Sequence, residues 1–381
     1  MNFNYRNTTQ LYFTKDLVKE LNDFIKSNNF HKALIITGGP ATTKIAYEIS
    51  NGIDAKYKII SGVKSNPLSE TVEQMEKEAK QFNPDLILTI GGGSVHDTGK
   101  AVAIMYFDTG NNVEDYTVTG KLSVPGIKKA LPIITIPTLY GSGAEVSPAA
   151  LLRIGNEKRV IFSPLLHPLA TFISTDLTKS LNKLEIARSA FDSFVQALEG
   201  FISISSNNIS NAFAKTTIEY YNICIPSLID GIYTDDTLEK LAIASVFSSY
   251  VCSTASVGAI HAVSDPISGR FDMHHGTALA MVALDVLEKN LYVISEEKVY
   301  EIDAMLFNLS SEKSDVRERV LEKIAAMIDS LGLLENVSTT KISEETMSFM
   351  VKEAFNGDMV GNPYEFSEDE IKIILGKWYE T

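Results

Sequence analysis

Two stretches of this chain carry residues whose types and spacing suit metal chemistry. In SVGAIHAVSDPISGRFDMHHGTAL (256–279), His261 and Asp265 are four apart, so on a helix they share one face and their side chains can meet. His275 follows fourteen residues after His261, across a turn predicted at Gly269 and just before Gly276. Two imidazoles brought back together in this way suit a divalent cation, with a carboxylate still required. IARSAFDSFVQALEGFIS (186–203) offers one: Asp192 and Gln196 are again four apart, on a segment where Ile186, Ala190, Phe194, Ala197, Leu198 and Phe201 predict one apolar helical face. A charged Asp beside such a face is costly unless something pairs with it, and a cation would. Taken singly, each residue fits a surface acid or a hydrogen-bonded core histidine; the joint pattern points to a metal.

The elements that must position these residues fall into two halves. The first reads as strands alternating with helices: a short strand and an amphipathic helix with Leu17, Leu21 and Ile25 on one face, then KALIITGG (32–39), a helix over Thr42 to Ile49, a strand over Tyr57 to Ile60, a charged helix over Ser69 to Phe82, and DLILTIGGGS (85–94) opening into HDTGKAVAIM. Buried β-branched runs ending in glycines predict a parallel, doubly wound sheet. A further strand, Ile133 to Ile136, leads into a loop rich in Gly and hydroxyls, and LLRIGNEKRVIFSP predicts a hairpin about its Gly-Asn turn. The GGGS turn lets backbone N–H groups approach a diphosphate at a helix N-terminus. It lacks the GxGxxG spacing of the usual dinucleotide fold, and by spacing alone it is equally an ordinary turn.

From about residue 178 the character changes to long apolar-periodic stretches with few glycines, including Asn211 to Leu228, Thr237 to Val257, Leu279 to Tyr292 and Val316 to Leu331. The expected domains are therefore 1–178, α/β and dinucleotide-binding, and 179–381, all-helical, with a capping box at Ser367 and Glu370 near the end and a ligand cleft between the halves.

Composition narrows the function classes. With 381 residues, 45% hydrophobic and 22% charged, the chain can bury two sizeable cores. A net charge of −14 and no basic stripe argue against nucleic-acid or anionic-membrane partners. Cys224 and Cys252 sit in apolar helical contexts, so a disulfide framework is not expected. With no signal-like N-terminus and no apolar run of membrane-spanning length, a cytoplasmic location is expected.

Four motifs in order resemble the iron-containing, or group III, alcohol dehydrogenases. GGGSVHDTGKA (91–101) is similar to that family's GGGSxxDxxKA, PTLYGSGAEV (137–146) to its PTTAGTGSEV, FDSFVQALEG (191–200) to its DALTHALEA, and HAVSDPISGRFDMHHG (261–276) to its HAMAHPLGxxxxxPHG. GNPYEFSEDEIKIIL is similar to its closing segment, so the resemblance spans nearly the whole chain. It implies an N-terminal Rossmann-like domain and a C-terminal helical metal domain. It further implies reversible hydride transfer between NADH or NADPH and a small polar carbonyl or alcohol, with Fe²⁺ or Zn²⁺ as Lewis acid.

Carried over by position, the resemblance places the cofactor diphosphate on Gly92, Gly93 and Ser94 with Asp97 beside them, and the nicotinamide half on Asn66, Thr138 and Ser142. It implies a metal held by Asp192, His261 and His275, with Gln196 where the family has a fourth, histidine ligand. An amide oxygen binds borderline metals poorly, so a three-ligand or weakened site is expected. Asp265 stands where the family has a histidine that assists proton delivery; there it could relay a proton, bind a cationic substrate group or add a metal ligand. His261 and Asp265 are thus the candidate catalytic pair. Leu139 and Ala144 replace hydroxyl residues of the cofactor loop. Gly38 stands where NAD-selective members have an Asp, so nothing repels a 2′-phosphate and NADPH is expected to be tolerated or preferred. A homodimer is expected. A dehydroquinate-synthase-like lyase and a nucleotide-binding pseudoenzyme are the alternatives on the same fold.

Overall fold

A computed structural model describes residues 5–107, 111–123, 126–179, 181–307, 315–357 and 359–381. The chain divides into two compact units, one of them Arg6–Leu181 and the other beginning at Asn182. Tyr5 belongs with the second, where its ring lies 5.8 Å from that of Phe213 and 5.7 Å from that of Tyr250.

The first unit runs β1 (Gln10–Phe13), α1 (Leu17–Ser27), β2 (Lys32–Thr37), α2 (Pro40–Ser50), β3 (Lys56–Ile60), α3 (Ser69–Phe82), β4 (Leu86–Gly91), α4 (Gly93–Met105), β5 (Ile133–Pro137), the strands β6 (Ala149–Ile154) and β7 (Glu157–Phe162), and β8 (Ala170–Ile173). Six strands form one sheet in the order β1-β8-β5-β4-β2-β3, every neighbouring pair parallel. Alternating side chains of the central strands feed two cores. Leu34 and Ile36 face the core built with Val72, Met75 and Val102, and Ala33 and Ile35 face the one built with Leu21, Ile25 and Ile49. Burial on both faces explains why these strands read as continuous apolar runs. β6 and β7 pair antiparallel about Gly155-Asn156, the predicted hairpin; Gly155 takes φ +60°, a left-handed turn that glycine adopts without strain.

Strand order decides where a ligand can sit. After β2 the chain turns outward to β3 and then returns to place β4 on the opposite side of β2. The switch point lies between the carboxyl ends of β2 and β4, in register at Thr37 and Ile90, and Gly38 and Gly92 follow those ends directly. An open parallel sheet leaves its ligand crevice there.

The second unit is built of α5 (Lys183–Ile202), α6 (Asn208–Asp230), α7 (Asp235–Ala255), α8 (Ala259–Phe271), α9 (His275–Val293), α10 (Glu296–Phe307), α11 (Val316–Ser330), α12 (Glu344–Asn356) and α13 (Glu368–Gly376). Two of its features differ from the sequence reading. α5 has no apolar face as such: Phe191 through Ile202 are buried without interruption, because α6, α7 and α9 all pack on it. The unit is also not purely helical. β9 (Thr340–Lys341) and β10 (Tyr379–Glu380) pair in parallel, with Thr340 N donating to Trp378 O at 2.9 Å. Two-residue strands leave no readable period in a sequence. The capping box at Ser367 and Glu370 is present at the start of α13.

Candidate metal centre

Asp192, His261 and His275 come together within the helical unit, their ligand atoms all within 4.8 Å of one another. Each is delivered by a specific local device. Asp192 lies mid-way along the buried helix α5. His275 opens α9, where the preceding His274 caps the helix by accepting from Gly276 N at 3.2 Å. Gly276 has to be glycine, since a Cβ there would stand 2.2 Å from Arg188 O; without it, the start of α9 abuts α5 one turn before Asp192. The turn that reverses the chain between the two histidines is at Asp272, φ +51°, and not at Gly269, which is inside α8.

His261 lies in the first turn of α8 and is fixed by a residue the sequence reading did not single out. Glu199 presents Oε1 to Ile260 N at 2.6 Å and Oε2 to His261 Nδ1 at 2.5 Å. One carboxylate thus caps α8 and orients the ring. A signal was available, since Glu199 is seven residues after Asp192 and stands alone as an acid in an apolar run. Asn362 Oδ1 accepts from Ala259 N at 3.1 Å, and Gly258 permits both approaches, because a Cβ would meet Asn362 Oδ1 at 2.8 Å and Glu199 Oε1 at 3.0 Å.

The geometry suits a cation. Two ligands about 2.1 Å from a tetrahedral ion are about 3.4 Å apart, and His261 Nε2 and Asp192 Oδ1 are 3.4 Å apart. The far ring nitrogen of His261 is held by a carboxylate, which fixes the ring for coordination. Burial opposes a charged His261, yet hydrogen bonds and charge from Asp192 and Glu199 outweigh it and push the imidazole up to about 10. Surroundings that hold a proton this firmly equally favour a metal ion in its place. Gln196 Nε2 donates to Asp192 Oδ1 at 3.2 Å, so its amide orients the carboxylate. Asp265 Oδ1 is 4.0 Å from His275 Nδ1, and its side chain is 29% exposed.

The remaining predicted site residues lie in the first unit. Gly92 caps α4, with Leu139 Cδ1 3.6 Å from where its Cβ would be, and a Cβ on Gly93 would stand 2.5 Å from Ser142 Oγ, so the glycine turn and the loop after β5 are in close contact. Ser94 O accepts from Thr98 Oγ1 at 2.8 Å within the first turn of α4. Thr138 N donates to Gly91 O at 2.9 Å, and the fully buried Thr138 hydroxyl has no partner within the protein, as a group reserved for a ligand would. Asn66 takes φ +51° in the loop after β3. Gly38 O accepts from Gly62 N at 2.9 Å, which ties that loop to the end of β2.

Asp97 is drawn into a structural network. Lys100, completely buried, donates to Ala144 O at 2.6 Å, Ala149 O at 2.8 Å and Ser147 Oγ at 3.0 Å, with Asp97 Oδ1 3.9 Å away. Burial pulls the ammonium down to about 8 against the attraction of Asp97 and Glu145; burial likewise pushes Asp97 up to about 6 against that of Lys100. Lys100 thereby straps α4 to the loop entering β6. Lys100→Met strands the Ala144 carbonyl and leaves Asp97 without its counter-charge, and it is expected to destabilise the unit by about 3 kcal/mol. Urea unfolding measures this, and a loss below about 0.5 kcal/mol would remove the strap from the account.

The sequence profile of the iron-containing alcohol dehydrogenases matches residues 8–175, and that of the C-terminal domain of the Fe-containing alcohol dehydrogenase family matches 186–379. The chain belongs to the iron-containing alcohol dehydrogenase family, whose members act on CH–OH groups with NAD(H) and a divalent metal. It is 24% identical to alcohol dehydrogenase 4 of Saccharomyces cerevisiae, over 97% of this chain and 96% of the other, and 24% identical to lactaldehyde reductase of Escherichia coli, over 96% and 97%. An archaeal alcohol dehydrogenase from a Red Sea brine pool shares its fold with a TM-score of 0.88 at 21% identity, covering 99% of each chain. Among the described residues no single helix is long and apolar enough to cross a membrane.

Proposed function

We propose that the chain reduces a small polar aldehyde or ketone with NADPH or NADH, reversibly, at a metal held by three protein ligands, Asp192, His261 and His275. The observation that carries this reading is the convergence of those three side chains from three helices, with Glu199 behind His261. Two imidazoles and a carboxylate accept Fe²⁺ or Zn²⁺. When bound, the cation acts as a Lewis acid on the substrate oxygen and stabilises the alkoxide that develops there. Gln196 takes the place of a fourth ligand but serves Asp192 by hydrogen bonding. Asp265, part-exposed beside His275, is suited to pass a proton between solvent and the alkoxide oxygen. The unpartnered Thr138 hydroxyl and the backbone of Gly92 and Gly93 are suited to the cofactor. The test is anaerobic loading with Fe²⁺ or with Zn²⁺, followed by NADPH oxidation against an aldehyde panel. Metal-dependent turnover is expected, and equal rates with and without metal would reject the reading.

The preference for NADPH rests on Gly38. It follows β2 at the switch point, where a carboxylate would accept from a ribose hydroxyl and repel a 2′-phosphate. An added side chain is tight there but tolerable, since its Cβ would stand 3.0 Å from Thr42 Oγ1 and 3.4 Å from Val63 O. Gly38→Asp is expected to shift the ratio of kcat/KM for NADPH to that for NADH by about tenfold or more toward NADH. An unchanged ratio would place cofactor selection elsewhere.

A further inference from the structure

The helix that carries His261 is entered through a strained joint. Ser256, the residue after α7, takes φ +63° and ψ 174°, a backbone conformation essentially confined to glycine. A side-chain-bearing residue stays there only where its surroundings over-determine it. Before the joint, Ser203 Oγ donates to Ala255 O at 2.6 Å. After it, Asn362 Oδ1 and Glu199 Oε1 take the first two backbone N–H groups of α8, those of Ala259 and Ile260. Gly361 lets the C-terminal segment lie against the joint, since a Cβ there would stand 2.9 Å from Val257 O.

Asn362 is held on both of its polar atoms. Its Oδ1 accepts from Ala259 N at 3.1 Å and from Asn290 Nδ2 at 2.9 Å, while its Nδ2 donates to Asn290 Oδ1 at 3.0 Å and to Tyr364 O at 2.6 Å. Asn290, completely buried near the end of α9, also accepts from Tyr364 N at 3.2 Å. The backbone groups dictate how both amides face, because an N–H must meet oxygen and a carbonyl must meet nitrogen. α9 is the helix that His275 opens, so the pair ties the start of the His261 helix to the far end of the His275 helix. We infer that Asn290 and Asn362 are positioning residues for the metal centre, holding the first turn of α8 against the strained joint and so setting where His261 presents Nε2. The inference rests on the metal reading above. Glu199 directs the imidazole ring, but a correctly turned ring on a displaced helix is still misplaced. Without the amide pair the joint can relax, and His261 Nε2 leaves the 3.4 Å separation it keeps from Asp192 Oδ1. Metal–ligand distances tolerate only about 0.2 Å, so a shift too small to unfold the unit is enough to weaken the site.

The test is chelator competition for Zn²⁺ in the full chain, with urea unfolding of the metal-free protein measured alongside. Asn362→Ala is expected to weaken Zn²⁺ binding about tenfold or more, and Asn290→Leu, which leaves Asn362 in place but unbraced, about threefold or more. Asp303→Asn is the control for lost stability. Asp303 pairs with Arg319 between α10 and α11, through contacts of 3.1 Å to Nε and 2.6 Å to Nη2, and touches neither α8 nor the joint. It should lower urea stability while leaving Zn²⁺ affinity within about twofold of the wild type. Should Asn362→Ala not fold, Asn290→Leu alone decides. The inference is overturned if the folded asparagine variants hold Zn²⁺ as the wild type does, or if Asp303→Asn loses affinity as they do, since the effect would then follow stability and not position. A wild type that takes up no Zn²⁺ and no Fe²⁺ would instead remove the metal reading, and this inference with it.

Discussion

Asp192→Ala is expected to leave the fold intact and to abolish turnover. Asp192 is the only carboxylate among the three converging ligands, and it enters the site from a helix whose packing against α6, α7 and α9 does not depend on it. Its loss leaves two imidazoles, which do not balance the charge of a divalent ion. Bound metal should fall from about one per chain to below about one-tenth, and kcat/KM by about a thousandfold or more, the equivalent of about 4 kcal/mol of transition-state stabilisation. The removed side chain is small and sits beside His261, so far-ultraviolet circular dichroism should be unchanged. A variant that keeps its metal and its rate would show that Asp192 is a buried acid serving structure alone.

The second large effect is predicted for a residue that would not itself touch the metal. Glu199 serves two donors at once, Ile260 N and His261 Nδ1, and its side chain is 1% exposed. Glu199→Gln has the same shape but only one accepting oxygen. If the amide oxygen takes the backbone N–H, its NH₂ group meets His261, the ring loses its anchor and the imidazole becomes a poorer base. Carboxylates behind a metal-binding histidine typically contribute 10–100-fold in metal affinity, and a loss of about that size is expected here. Competition with a chelator measures it. Equal metal retention in wild type and variant would reduce Glu199 to a helix cap.

Much of this arrangement is legible in the sequence, for identifiable reasons. The parallel sheet is readable because burial on both faces writes each central strand as an uninterrupted apolar run closed by glycine, as in KALIITGG and DLILTIGGGS. His261 and His275 stand out because imidazoles in a helical, small-residue context are uncommon. What the sequence conceals is contact at a distance. Gly276 reads as a residue after a histidine, yet its missing Cβ is what lets α9 meet α5. Asn362 lies 103 positions from the helix start it caps. The sequence points to Gly269 for the reversal between the histidines because glycine is the usual mark of a left-handed residue; in the structure Asp272, an acid that tolerates that conformation, takes it. Lys100, in the motif that follows the glycine turn, is a buried strap between α4 and the entry to β6, and its spacing in the sequence does not mark that role.

The proposed chemistry depends on one cation held among one acid and two imidazoles. Anomalous diffraction at the iron or zinc absorption edge, from crystals of the metal-loaded protein, locates that ion directly. A single strong peak bonded to Asp192, His261 and His275 is the result predicted; a metal-loaded, active protein whose peak lies away from these three residues would contradict it.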